Sequence, residues 1–226
     1  MSEWWTYSLS SFLLFSARTY YRLFELYNAD VWPLQLVTLA LGAAIVAVIV
    51  RRAAWSGRII AVVLAALWLF VAWAFLLERY DPNNFVARYF ALGFAAQAAL
   101  LIWTGVIRDR LQFDSGSVAG KIGLALVSYA LLAHPLIAPL SGRPWAQAEI
   151  FGIALDPTAL ATLGVLLAAS RPHWHLMILP ALWCMITGLT LWAMESPEAP
   201  VAPLIAAIAL ALTARKSLTF SPPTDG

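Results

Sequence analysis

Val31 to Val50 is a run of twenty residues whose only strongly polar side chain is Gln35. At 1.5 Å per residue, a helix of that length covers about 30 Å, the thickness of the hydrocarbon core of a bilayer. Arg51 and Arg52 stop the run. Ile59 to Leu77 is a second apolar block, ended by the polar turn Glu78-Arg79-Tyr80-Asp81-Pro82-Asn83-Asn84. A third, Tyr89 to Ile107, is closed by Arg108-Asp109-Arg110, and the loop-like stretch Gln112 to Gly120 precedes a fourth, Ile122 to Leu140. Pro135 and Pro139 should bend the far end of that block. Three later blocks follow: Ala159 to Ala169, short enough to need its flanks; Leu176 to Met194, interrupted by Pro180; and Val201 to Ala214, closed by Arg215-Lys216. The expected fold is therefore all-α, a polytopic transmembrane helix bundle of about seven spans within residues 31–216.

Composition supports the same class: 62% of residues are hydrophobic, 12% are charged and mean hydropathy is +0.79. A soluble domain carries about twice that share of charge. The net charge of +2 comes from basic residues at block ends, which read as topology signals, so no nucleic-acid partner is expected. Cys184 is the single cysteine, so neither a disulfide framework nor a cysteine-rich metal site can form within the chain. Met1 to Ser11 lacks a basic region followed by an apolar stretch, and no removable signal peptide is expected.

Ahead of the first span, Arg18, Arg22 and Glu25 form a polar stripe at helical spacing, while Phe15, Leu23, Leu26 and Tyr27 supply apolar area. Residues 1–30 thus read as an amphipathic helix, lying in the membrane interface or packed on the bundle, alternatives that a stripe does not separate. Residues 217–226 read as a disordered tail. Across seven spans, Arg18, Arg22, Arg79, Arg88 and Arg143 fall on the N-terminal side. Arg51, Arg52, Arg58, Arg108, Arg110, Lys121, Arg171, Arg215 and Lys216 fall on the other. The positive-inside rule then puts the N terminus outside and the C terminus in the cytoplasm.

The run Tyr27-Asn28-Ala29-Asp30-Val31-Trp32-Pro33 resembles the opening signature of an uncharacterised bacterial membrane family, domain of unknown function 6064. Tyr129-Ala130-Leu131 with Pro135, Phe151-Gly152-Ile153, Pro157-Thr158 and Thr162-Leu163-Gly164 resemble its middle and late blocks in order. Where that family often has a cysteine between two prolines, this chain has Leu155-Asp156-Pro157-Thr158-Ala159, so no chemistry of that cysteine carries over. The resemblance implies a polytopic fold in a bacterial inner membrane, tyrosine in relatives at position 134, and no accepted activity.

Ionisable groups deep in a bilayer are costly, which makes them the first functional candidates, and His134 is the one clear case within a span. Directly before Pro135 it suits a proton relay or a ligand contact, but no second histidine or carboxylate lies one turn away on its own helix, which favours a packing role. Asp156 reads as an N-cap followed by proline at the first helical position, and with Thr158 and Thr162 it could line a polar notch. Gln35 and Gln97 read as amides that hydrogen-bond between helices. His173 and His175 flank Trp174 and fall on different helix faces, which suits an interfacial position and not chelation. Most of the eleven tryptophans sit near span ends as anchors, leaving Trp68, Trp73 and Trp183 to pack among helices. Arg88 should pair with Glu78 or Asp81 across the preceding turn.

No catalytic, metal or cofactor motif is assembled, so no cofactor is expected and an enzyme is the least supported class. A non-catalytic accessory or scaffold subunit of a membrane assembly leads. A small-solute transporter is the alternative, supported by two short spans and an in-span proline. The expected partners are the lipid bilayer and either a membrane protein or a second copy of the chain.

Overall fold

The computed structural model describes residues 17–219, positions 54 and 83 excepted. The first sixteen residues of the expected N-terminal helix and residues 220–226 of the expected tail lie outside the described residues. Among the described residues eight helices of two turns or more follow in order: α1 (Ala17–Asp30), α2 (Leu34–Arg51), α3 (Ser56–Tyr80), α4 (Ala87–Ile107), α5 (Val118–Leu140), α6 (Leu155–Ala168), α7 (Trp174–Ala193) and α8 (Val201–Thr219). Among the described residues the backbone forms no strand, only an isolated bridge between Phe113 and Ala169.

Six of these helices, α2 to α5 with α7 and α8, are long and apolar enough to cross a membrane. Backbone hydrogen bonds inside a helix leave no polar group to lipid, which is why apolar blocks of this length take that form. About seven were expected, and the difference falls on α6. Its 14 residues cover about 21 Å, short of the roughly 30 Å hydrocarbon core. Residues 148–154 lead into it as a non-helical segment that is buried apart from Glu149 and Ile150, which are half-buried. All fourteen α6 residues are buried as well, so α6 is wrapped by the other helices instead of facing lipid.

Two ends of the bundle are distinguishable. At one, Asn28 Nδ2 donates to the carbonyls of Ala146 and Ala148, and Arg143 pairs with Glu198 at 2.7 Å. At the other, the amide of Asp114 donates to Ala168 and that of Ser170 to Gln112, fixing the exit of α6 beside the entry of α5.

α1 packs on the first end. Tyr20, Phe24 and Tyr27 recur at helical spacing and are buried. Phe24 stacks on Phe75 of α3 at 4.8 Å between ring centroids, and Tyr27 meets the same ring edge-on at 5.2 Å. The described part of the helix packs on the bundle through Tyr20, Phe24 and Tyr27, while Leu26, Arg18 and Arg22 are exposed. At the opposite terminus α8 continues through Thr219, three residues into the expected tail.

α5 and α6 approach closely enough that glycine faces glycine. A Cβ on Gly123 would stand 2.5 Å from the Gly164 carbonyl oxygen, and one on Gly164 would stand 2.7 Å from that of Gly123. Small residues at a crossing let backbones touch, the usual source of attraction between helices that gain nothing from leaving lipid. Beyond this contact α5 changes pitch, with the amide of His134 bonding back five residues to Tyr129 before the helix tightens over His134–Leu136. Pro135 removes an amide there, so the bend foreseen at this end arises where His134 turns into the bundle.

Trp68 is fully buried and Trp183 nearly so, as expected. Trp73 is 58% exposed and faces outward with the lipid-facing side of α3, contrary to the expectation that it packs among helices. Its position between Ala72 and Ala74 puts it on the opposite side from the buried pair Val71 and Phe75.

Candidate functional site

The break at residues 148–154 requires local support where it is buried, because amides and carbonyls away from water need partners. Gly152 supplies part of it with φ of +76°, a conformation open to glycine. Thr158 Oγ1 supplies more: it donates to the Ala154 carbonyl at 2.6 Å and accepts from the Gly152 amide at 2.9 Å. Thr162 Oγ1 donates to the Thr158 carbonyl and accepts from Trp68 Nε1, both within 2.9 Å. The expected polar notch of Asp156, Thr158 and Thr162 is therefore divided. Both threonines are fully buried and serve the backbone of the break and Trp68.

Asp156 does something else. The helix begins after Ala154, so Asp156 occupies the second helical position and is not the N-cap foreseen from the sequence. Its Oδ1 accepts from Trp183 Nε1 and from Thr187 Oγ1, both at 2.7 Å, and only 4% of the residue is exposed. Trp183 stands near the middle of α7, so the carboxylate lies well inside the bundle.

His134 and Glu149 converge on this carboxylate. One ligating atom from each of His134, Glu149 and Asp156 lies within 4.8 Å of the others. His134 Nε2 is 3.9 Å from Glu149 Oε2, and its Nδ1 is buried with no hydrogen-bond partner. No histidine or carboxylate lies one turn away along α5; Glu149 and Asp156 come instead from the chain that follows it. Glu149 was missed as a site residue because it reads as a loop acid. The continuous apolar run from Ile150 to Leu155 was the signal that this loop enters the interior.

A cavity of about 20 Å³ separates this trio from the end of the bundle, lined also by Arg143, Glu198, Leu191 and Val201. Arg143 and Glu198 line it toward that end. Ser141 and Tyr21 hydroxyls donate to the Glu198 carboxylate at 3.1 and 3.0 Å, and the Arg143 guanidinium lies 3.9 Å over the Tyr21 ring. Burial pushes against ionisation of Glu198, but Arg143, Ser196 and Tyr21 outweigh it and hold its carboxyl below the ordinary carboxylate range. Burial pushes the Tyr21 phenol up to about 12, so it remains a donor at neutral pH.

The other candidates stand apart from this cavity. Gln97, fully buried, donates to the Leu176 carbonyl at 2.9 Å and joins α4 to α7, as expected of an interhelical amide. Gln35 donates to the Asn28 carbonyl at 2.8 Å and ties α2 to the end of α1. At the opposite end of the bundle His175 Nε2 is 2.9 Å from Thr104 Oγ1. Neighbouring His173 is buried at the start of α7; burial, with His175 beside it, pushes its pKa down to about 4 and keeps the ring neutral. Arg88 pairs with Asp81 through two contacts of 3.0 and 3.1 Å on the surface, a structural pair of the kind foreseen.

Two comparisons, with curated proteins and with solved structures, return no match to this chain. A family model does match, over residues 17–222, and the chain belongs to that family, the family of unknown function DUF6064.

Proposed function

We propose that this member of the DUF6064 family is a small-solute transporter of the bacterial inner membrane, carrying a small cation through the pocket formed by His134, Glu149 and Asp156. The observation that carries the reading is the convergence of these three groups on a water-sized cavity inside a bundle of apolar helices. Glu198 is matched by Arg143, which leaves Glu149 and Asp156 with only an imidazole between them. Carboxyl groups at this depth are expensive unless hydrogen-bonded or neutralised, and a bound cation would offset that cost.

The interrupted passage through residues 148–168 supports the same reading. Transporters build binding sites where a helix is broken at membrane depth, because irregular backbone survives there only when protein or a solute path surrounds it. The Arg143–Glu198 pair under Tyr21 then acts as the closed door on the α1 side. The distribution of five basic residues against nine supports an orientation with that door outside and the C terminus in the cytoplasm. This order reverses the sequence preference for an accessory or scaffold subunit, which had no mid-bundle carboxylate to explain.

The test is complementation of the phenotype produced by deleting the gene, paired with detergent melting temperature. His134→Gln, Glu149→Gln and Asp156→Asn should each abolish complementation while the protein still folds. Full complementation by all three variants would return the scaffold reading to first place.

A further inference from the structure

We infer that the cation held by His134, Glu149 and Asp156 is a divalent first-row transition metal ion, an inference that rests on the transport reading and names its solute. Donor type is the first argument. One imidazole and two carboxylates suit zinc, manganese or ferrous iron, whereas magnesium and calcium prefer all-oxygen shells and soft monovalent copper prefers sulfur. Charge is the second: two carboxylates and a neutral imidazole sum to the opposite of a divalent ion, with no further counter-ion needed.

Geometry is the third argument. One ligating atom from each of the three residues lies within 4.8 Å of the other two. Ligands about 2.0–2.2 Å from a tetrahedral ion stand roughly 3.5 Å apart, so small side-chain rotations close the set. The cavity of about 20 Å³ exceeds the roughly 10–15 Å³ needed by one water, which can complete the coordination.

The surroundings add an independent sign. His134 is 6% exposed and lines the cavity, with Nε2 toward Glu149 and no protein partner on Nδ1, so no hydrogen bond within the chain fixes the ring against turning to a ligand. Both donors to Asp156, Trp183 Nε1 and Thr187 Oγ1, use Oδ1, which leaves Oδ2 for a ligand. Such outer contacts orient the carboxylates of metal sites, and losing one typically weakens binding about 10–100-fold.

The experiment uses the full chain purified in mild detergent, stripped with chelator, then titrated with zinc and with cobalt as an absorbing probe. One equivalent of zinc per chain is expected, with a rise in melting temperature and a cobalt spectrum of mixed nitrogen and oxygen ligation. Glu149→Gln and Asp156→Asn should lose the bound equivalent, His134→Gln should weaken it more than tenfold, and Thr187→Val should weaken it about 10–100-fold while preserving the ligand set. His173→Gln, at the other end of the bundle, should leave it unchanged. Absence of a stoichiometric ion in the stripped and reloaded wild type, or its retention in both carboxylate variants, overturns the inference. If the metal fails to bind yet the same three residues remain essential for complementation, the metal assignment falls and the transport reading stands on another cation.

Discussion

Thr158→Val replaces the hydroxyl that holds the broken passage with a methyl group of nearly the same size. In the native chain that hydroxyl accepts from the Gly152 amide at 2.9 Å, and the threonine itself has no exposure. The substitution leaves a buried amide without an acceptor, a cost of about 1–3 kcal/mol. For a chain of about this size each kcal/mol shifts the melting temperature by roughly 2–4 °C, which gives a fall of about 2–12 °C. Thr158→Ser keeps both hydrogen bonds and loses one methyl, a cost of about 0.5–1.5 kcal/mol. The ordering is the test, read as melting temperature in detergent together with amide exchange of the peptide containing Gly152. Valine should melt below serine and expose that amide to exchange, whereas serine should protect it. A valine variant as stable as serine, with Gly152 equally protected, would refute the claim that this hydroxyl supports the buried break.

Other consequences concern packing, charge and topology. Gly164→Ala would put a Cβ 2.7 Å from the Gly123 carbonyl oxygen and 2.9 Å from the Val127 amide nitrogen, so overpacking should cost about 1–3 kcal/mol in melting experiments. Gly93→Ala, whose Cβ meets nothing within 4 Å, should melt at or above wild type. Because the Glu198 carboxyl is held below its ordinary pKa in the folded state, its contribution is present above the unfolded value of about 4.3 and fades as pH falls through the lower folded value. Melting temperature measured from pH 6 to pH 3 should therefore fall less steeply for Glu198→Gln than for wild type at the acid end. A cytoplasm-active reporter fused after Gly226, Arg58 or Ser115 should be active, and one fused after Asn83 silent; activity at Asn83 would overturn the orientation.

The bundle was legible because its apolar blocks end at Arg51-Arg52, Arg108-Asp109-Arg110 and Arg215-Lys216, charges that lipid excludes. The buried face of α1 was legible in part, since Tyr27 falls on it, but helical spacing says nothing about whether protein or lipid covers a face. The route of residues 148–154 was hidden for a different reason. A non-helical stretch buried by its neighbours has no periodicity of its own, and its apolar run, ahead of the helix start read at Asp156, does not say which helices cover it. The site vanished with it. His134 was visible as a polar residue in a span, but Glu149 and Asp156 reach it through the fold-back of the chain, not through the spacing of a helix. Asp156 was read as a cap because Asp-Pro before an apolar run is a common helix start; contacts from Trp183 and Thr187 on another helix decide its role instead.

The account turns on whether a cation crosses through the His134–Glu149–Asp156 pocket, and reconstituted vesicles measure that directly. Purified protein is placed in liposomes enclosing a metal-sensitive dye, zinc or manganese is added outside, and entry is followed for wild type, Asp156→Asn and Glu149→Gln at matched protein content. Entry should be saturable in wild-type vesicles and fall to the level of protein-free liposomes in both variants. Wild-type vesicles no more permeable than protein-free liposomes to either ion, or to protons and sodium tested in the same format, would contradict it.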